Sequence, residues 1–415
     1  MIPKTEILAV AAESKLLATT VEKDYALGWM LFGIAAHPEL AQWCFKGGTS
    51  LKKCYFDTYR FSEDLDFTIP VEAAYGTESI RANLLSVAEW VNDQAGIECP
   101  PDGIAVEEST NRRGHKTFEA KATFVGPLQL RSSQRQRIRF DLTQDELVVD
   151  APVLRQVFHG YSDAPTPLPR VRCYSLSEVL AEKVRAMFER SGRARDVYDI
   201  VNVGRNLRPD LDPDLIREIT RKKFAFKALS PPTSGMLLAR IDPAVLTSDW
   251  ANSLRHQLPV LPPVKEFLDA LAEVLAWLLE RAALGPALVP VPGGKAESTV
   301  PPVRLAHSFA HRSLGVGIPA SQGTVLPSAV FGNGMDQLRY AARNRLLAQI
   351  SYHGVSRLVE PYSLRVPGTG NLLLYGFEVQ RGIGVGGGIK AFKVAELGDV
   401  QVTDRPFHAR YVVEL

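Results

Sequence analysis

Two aspartates, Asp64 and Asp66, stand two apart in Arg60-Phe61-Ser62-Glu63-Asp64-Leu65-Asp66-Phe67. Leu65, Phe67 and Ile69 alternate with Asp64, Asp66 and Thr68, and a period of two predicts a strand. Both carboxylates then leave one face while their apolar neighbours anchor the other. Such a pair can hold magnesium ions, which take oxygen ligands and keep coordination positions for substrate phosphates. Ions held there would neutralise a nucleoside triphosphate and align an in-line displacement. Taken alone, the pattern also describes two solvated acids on an exposed sheet face.

The neighbourhood sharpens the reading. Upstream lies Lys46-Gly47-Gly48-Thr49-Ser50, where paired glycines let backbone amides approach phosphate oxygens and a following helix adds its N-terminal dipole. A plain turn is the alternative, and the spacing of a P-loop is absent. Glycines, a short helix and then a carboxylate strand together resemble the phosphate-and-metal half of a polymerase-β-like nucleotidyltransferase. A third acid, Asp141 in Ile138-Arg139-Phe140-Asp141-Leu142, has the same alternation and could join the metal set or be an ordinary strand acid.

Helices are predicted over residues 5–45, including an apolar-periodic run at 21–36, and over 78–95. Strands are predicted near 118–124 and 138–142. Tyr174-Ser175-Leu176-Ser177-Glu178-Val179 reads as a helix start with capping-box spacing between Ser175 and Glu178. That helix should run to about Arg190, break at Ser191-Gly192 and give way to another near Ala194. Residues 210–284 read as mostly helical, 284–303 as a Pro/Gly-rich linker, and the chain after Met335 as a short helix followed by strands.

A length of 415 residues implies two or three domains, and 46% hydrophobic with 23% charged residues is ordinary for a soluble globular chain. The net charge of +2 leaves nucleic-acid contact to local patches. Arg131, Arg135, Arg137 and Arg139 share a face if their segment is extended, and Arg217, Arg221, Lys222 and Lys223 cluster on a predicted helix. Each patch reads as well as a solvated basic face. The four cysteines show no CxxC spacing and imply reduced thiols in a cytoplasmic protein. No signal peptide is evident, and Asp269, Glu273, Glu280 and Arg281 interrupt the most apolar run, so no membrane span is expected.

Phe45-Lys46-Gly47-Gly48-Thr49-Ser50-Leu51, followed by the Asp64–Asp66 segment, resembles the AbiEii-type nucleotidyltransferase toxins of abortive-infection phage-defence and toxin–antitoxin systems. Glu22-Lys23-Asp24-Tyr25, Glu182-Lys183-Val184-Arg185-Ala186 and Arg195-Asp196-Val197-Tyr198-Asp199 extend the resemblance, which spans roughly residues 15–285. It implies that Lys46, Gly47, Gly48, Thr49 and Ser50 form a phosphate-approach loop and that Asp64 and Asp66 bind metal. Lys183 would contact the triphosphate, Asp196 would complete the catalytic set with Asp199 as the alternative, and Ser62 would touch substrate or be self-modified. Two Mg2+ ions, an NTP co-substrate, an RNA acceptor such as the tRNA 3′ end and a cognate antitoxin are the implied cofactors and partners.

Residues 335–415 resemble a WYL-type domain, through Ile350-Ser351-Tyr352-His353-Gly354, Arg357-Leu358-Val359-Glu360-Pro361-Tyr362 and Leu374-Tyr375-Gly376-Phe377. That implies a small SH3-like β-barrel with Arg357, Tyr362, Lys390 and Lys393 as ligand or nucleic-acid contacts, unless they are simply its polar face. The glycine run at 382–388 reads as a hairpin loop. The expected fold is therefore α+β: a nucleotidyltransferase domain at 1–285 (core about 15–205, helical part about 206–285), a linker at 286–325 and a small β domain at 326–415. The expected activity is metal-dependent nucleotide transfer to RNA by a toxin. The alternatives are a binding regulator with the transferase fold as scaffold, and nucleotide transfer onto a protein.

Overall fold

The computed structural model describes residues 1–56, 60–71, 75–110, 114–280, 334–366 and 370–415. The chain divides into two units, Met1–Ala283 and Leu284–Leu415. The predicted linker lies outside the described residues.

The first unit opens with helices α1 (Lys4–Ser14) and α2 (Ala18–Ala36). Strand β1 (Cys44–Lys46), the four-residue helix α3 (Gly47–Ser50), one π-helical turn (Leu51–Tyr55) and strand β2 (Asp64–Thr68) follow. Next come α4 (Thr77–Ala95), β3 (Ile104–Thr110), β4 (Lys116–Thr123), β5 (Arg137–Thr143), β6 (Val153–Gln156) and β7 (Arg170–Cys173). Helices α5 (Leu176–Glu189), α6 (Ala194–Asn206), α7 (Pro213–Phe226), α8 (Ser234–Leu238), α9 (Pro243–Leu254) and α10 (Val264–Leu279) complete the unit.

The strands form one mixed sheet in the order β3-β4-β5-β2-β1-β7-β6. β2 lies antiparallel to β1 and parallel to β5, so the two predicted carboxylate strands are neighbours. Burial follows the pleat: Leu65, Phe67, Ile138, Phe140 and Leu142 are buried, while Arg137, Arg139 and Asp141 are exposed. One sheet face is thus core and the other is available for chemistry.

The break between α5 and α6 is sharp because Ser191 and Gly192 both adopt left-handed backbone, φ 54° and 75°. α5 begins as predicted, with the Ser175 hydroxyl accepting from the Glu178 amide. The Glu178 side chain does not close the capping box. It is buried, accepts from the amides of Val149 and Asp150, and pairs with Lys223 at 2.8 Å. That pairing also withdraws Lys223 from the predicted basic patch on α7; Arg217 and Lys222 pair with Asp214 and Glu218, and Arg217 and Arg221 line one cavity. α10 packs its apolar stripe (Phe267, Leu271, Val274, Leu278) inward, and no helix among the described residues is long and apolar enough to cross a membrane.

The second unit has helix α11 (Gly334–Arg343) and strands β8 (Leu346–Tyr352), β9 (Val355–Arg365), β10 (Leu373–Arg381), β11 (Gly384–Val385), β12 (Ile389–Lys393) and β13 (Leu397–Pro406). They pair as β11-β10-β9-β8-β13, with β12 also on β10. The expected SH3-like barrel is corrected here. β13 pairs only with β8, so among the described residues the sheet stays open instead of closing edge to edge. Its core gathers Leu347, Leu358, Tyr362 and Phe407.

A fragment ending at Ala283 contains the whole first sheet and helices α1 to α10. It is expected to unfold in one cooperative transition, read by circular dichroism against denaturant. A non-cooperative melt would mean that the second unit is needed to complete its core.

Candidate active site

The register sets the site. Lys46 on β1 stands opposite Asp66 on β2, Asp66 opposite Asp141 on β5, and Asp141 opposite Glu119 on β4. One step along, Asp64 faces Arg139, and Arg139 faces Lys121. An acidic row and a largely basic row therefore lie side by side on the free face. Burial, reinforced by the Asp141 and Asp64 carboxylates and only partly offset by Lys46, pushes Asp66 up to about 6. Asp141 is raised too, by burial and then by Asp64 and Glu119.

The glycine turn is built around these acids. Gly47 has φ 78°, and a Cβ there would sit 2.0 Å from Asp66 Oδ2. A side chain at that position is excluded by backbone strain and by the carboxylate. Gly48 has a different reason: its Cβ would lie 2.2 Å from an Arg60 guanidinium nitrogen. The Thr49 hydroxyl lies within hydrogen-bond distance of the Ser62 hydroxyl (2.7 Å) and the Asp64 carbonyl oxygen (2.5 Å), which ties the turn to β2. Ser50 donates to the Gly47 carbonyl at 2.8 Å. Lys46 forms an ion pair with Glu146, which also accepts from Tyr174 and Thr68. Burial would raise Glu146, but Lys46 and Lys223 hold it down at about 2.

A buried ion-pair chain supports the turn from below. Arg60 grips Asp199 through Nε and Nη2, both at 2.8 Å, and donates Nη1 to the Gln257 carboxamide at 2.9 Å. Lys183 bridges Asp199 at 2.8 Å and Asp196 at 3.1 Å. Burial works against the Lys183 charge, yet the two aspartates raise its pKa. Asp199 is committed to Arg60 and Lys183. In Asp196 one carboxylate oxygen, Oδ2, is buried without a hydrogen-bond partner. Asp196 thus keeps an acceptor that Asp199 has spent, a distinction invisible in the sequence, where both are helix acids near arginines.

Beside Asp64 opens a cleft of about 570 Å3 lined by Lys23, Lys121, Arg135, Arg137, Arg139 and Arg195, with Glu63 at its edge. Arg135, Arg137 and Arg139 were predicted to group. Arg131 leaves the group because Ser132–Gln134 form a 3-10 turn and the strand starts only at Arg137. Lys23, Lys121 and Arg195 carried no predicted contact there. The period-two pattern of β4 contained Lys121, but only the register with Arg139 brings it to the cleft. In Glu22-Lys23-Asp24-Tyr25 three residues face inward: Glu22 accepts from the Leu128 amide, Asp24 pairs with Lys53, and Tyr25 donates to Asp163. Lys23 is the one that reaches the cleft.

In the second unit the predicted contacts do not form one site. Tyr362 is fully buried and donates to Glu360. Arg357 pairs with Glu378 and lies over the rings of Tyr352 and Phe392. Lys393 pairs with Glu396 at 3.0 Å, while Lys390 is exposed.

A mixed sheet with an acidic row on its free face, a glycine turn against the row and a cationic cleft alongside has the makings of a phosphate-handling transferase. The family model for the nucleotidyl transferase AbiEii toxin of type IV toxin–antitoxin systems matches residues 29–276. The chain belongs to that family of nucleotidyltransferase toxins. Among solved structures, MenT4, a nucleotidyltransferase toxin from Mycobacterium tuberculosis H37Rv, matches with a TM-score of 0.46 and 20% identity, covering 66% of this chain and 89% of that one. No curated protein matches the chain.

Two outcomes are expected of substitutions here. Asp66→Asn removes a carboxyl whose folded pKa lies above its unfolded value, so the native group favours folding below the unfolded pKa and loses that advantage as pH rises through about 6. The metal-free variant should melt a few degrees above wild type at pH 8 and together with it below pH 4. Thermal melts across that range check this; equal melting at pH 8 contradicts it. Arg60→Ala removes both Arg60 hydrogen bonds from the buried Asp199 carboxylate, and is expected to cost about 3–5 kcal/mol in denaturant unfolding.

Proposed function

We propose that the protein transfers a nucleotidyl group from an NTP to an RNA hydroxyl, such as that at a tRNA 3′ end, in a magnesium-dependent reaction. The observation that carries this reading is the adjacency of the acidic row to the cationic cleft: Asp64 lines the cleft and stands two residues from Asp66 on the same strand face. Anionic substrate can therefore be held where the carboxylates act.

Asp64 and Asp66 are the residues that would hold the metal, with Asp141 beside Asp66 on the neighbouring strand. Their chemistry fits, since they are hard oxygen donors and Asp66 is held partly neutral by burial and like charge, a cost that a cation relieves. Among the described residues no three or more His, Cys, Asp or Glu side chains converge as a metal cage, so water and triphosphate oxygens would complete the shell. Bound magnesium would supply charge neutralisation at the triphosphate.

The chain's own groups divide the remaining work. The turn at Gly47 and Gly48 would offer backbone amides to phosphate oxygens, with Lys46 and Ser50 supporting it. Lys183 presents positive charge close enough to act on Asp66, and it is anchored by Asp196, whose second carboxylate oxygen is buried without a hydrogen-bond partner. The acceptor hydroxyl attacks the α-phosphorus; a P–O bond forms to it as the bond to pyrophosphate breaks. Asp141, raised by partial loss of water at its carboxyl and then by Asp64 and Glu119, is suited to take the hydroxyl proton. Ser62, held against Thr49, shapes the turn. The resemblance of residues 335–415 to WYL-type domains supports an accessory nucleic-acid or nucleotide-binding role for the second unit, with Lys390 and Lys393 as contacts. An antitoxin partner follows from the family.

Incubation with each labelled nucleoside triphosphate, magnesium and total RNA should label RNA. Asp64→Ala and Asp66→Ala should each lower labelling by about 100-fold or more, and Asp196→Asn should damage activity with less loss of stability than Asp199→Asn. Label confined to protein would overturn the RNA acceptor, and near-normal labelling by either Ala variant would overturn the metal assignment.

A further inference from the structure

A second groove adjoins the cationic cleft. It has a volume of about 490 Å3 and is lined by Lys15, Leu16, Leu17, Asn252, Arg255 and His256. Three connections place it beside the cleft. His256 Nε2 lies 3.1 Å from the carboxylate of Glu63, which borders the cleft. Arg195, a cleft cation, donates to the Ser253 carbonyl at 3.4 Å, between the groove residues Asn252 and Arg255. Leu17 caps the start of α2, the helix that carries Lys23 into the cleft.

The groove's chemistry differs from the cleft's in one respect. It keeps basic groups in Lys15, Arg255 and His256, but adds an apolar floor from Leu16 and Leu17, the latter 66% exposed. Leu16 and Leu17 thus offer an apolar contact surface set among cations. Asn252 supplies an amide donor and acceptor beside that floor. No acidic residue lines the groove.

Resting on the transfer reading above, we infer that this groove is the track for the acceptor: a single-stranded RNA end whose reacting terminus lies in the cleft and whose preceding nucleotides run over Leu16 and Leu17. A single strand presents alternating phosphates and base faces, which is what basic side chains around an apolar floor can accept without reading sequence. An acidic peptide would match the charge but leaves the leucine floor uncovered.

The test uses the full chain and a labelled single-stranded RNA of about a dozen nucleotides, followed by fluorescence anisotropy. Leu17→Asp and Arg255→Glu change exposed side chains and should leave the melting temperature unchanged. The double variant should bind the RNA about tenfold or more weakly, and the salt dependence of its binding should be shallower. ATP with magnesium should shift the melting temperatures of variant and wild type equally. Unaltered RNA affinity in the double variant overturns the groove assignment, as does an absence of saturable RNA binding by the wild type, or displacement of the RNA by an acidic peptide that itself binds through Leu17. Weakened RNA binding in a protein that labels no RNA would sink the transfer reading and keep the groove. Normal transfer KM for RNA in the double variant would do the reverse.

Discussion

Like charge on one sheet face is the constraint around which the first unit is arranged. Asp64, Asp66, Asp141 and Glu119 occupy neighbouring register positions, and both Asp66 and Asp141 are raised from their ordinary value, by burial first and then by the neighbouring carboxylates. A sheet selected for stability alone would not place acids opposite one another on adjacent strands, since directly opposed like charges are destabilising. Cations at the margins offset part of the cost. Lys46 flanks the row on one side, and Arg139 and Lys121 lie one step along it.

The surrounding structure serves to keep those groups from collapsing onto each other. Lys46 would be drawn to Asp66, but Glu146 holds its ammonium, itself fixed by Tyr174 and Thr68. Lys183 is held back from the acidic row by Asp196 and Asp199. Arg60 ties that pair to the glycine turn from beneath and reaches Gln257 after α9. The helical half of the unit is thus coupled to the turn by buried charge, where the loss of one partner leaves another uncompensated. The absence of a side chain at Gly48 is part of the same arrangement, because Arg60 fills the space.

Much of this was legible in the residues. The alternation around Asp64 and Asp66 and around Asp141 identified both strands, because period two with one buried face leaves few alternatives. Ser191-Gly192 marked the helix break through its local backbone demand. Strand register was not legible, so the meeting of Lys121 with Arg139 and the inclusion of Lys23 and Arg195 in the cleft could not be read. Burial misled the reading of charged residues on helices: Lys223 looked like a surface cation and is buried against Glu178 and Glu182. The barrel expected at the C-terminus failed for a related reason. Strand order is a long-range property, and the alternating runs that form the open sheet are the same ones that a barrel would need.

The central claim, that the crowded acids await a cation, is tested most directly by counting protons. Calorimetric titration of magnesium with a non-hydrolysable NTP into the protein at pH 6, repeated in buffers of different ionisation enthalpy, reads the protons released on binding. With Asp66 pushed up to about 6, the account predicts proton release on binding at that pH. The release should be smaller at pH 8 and in Asp66→Asn once the nucleotide's own contribution is subtracted. Binding with no proton release from the wild type at pH 6, or the same release from the variant, would contradict it.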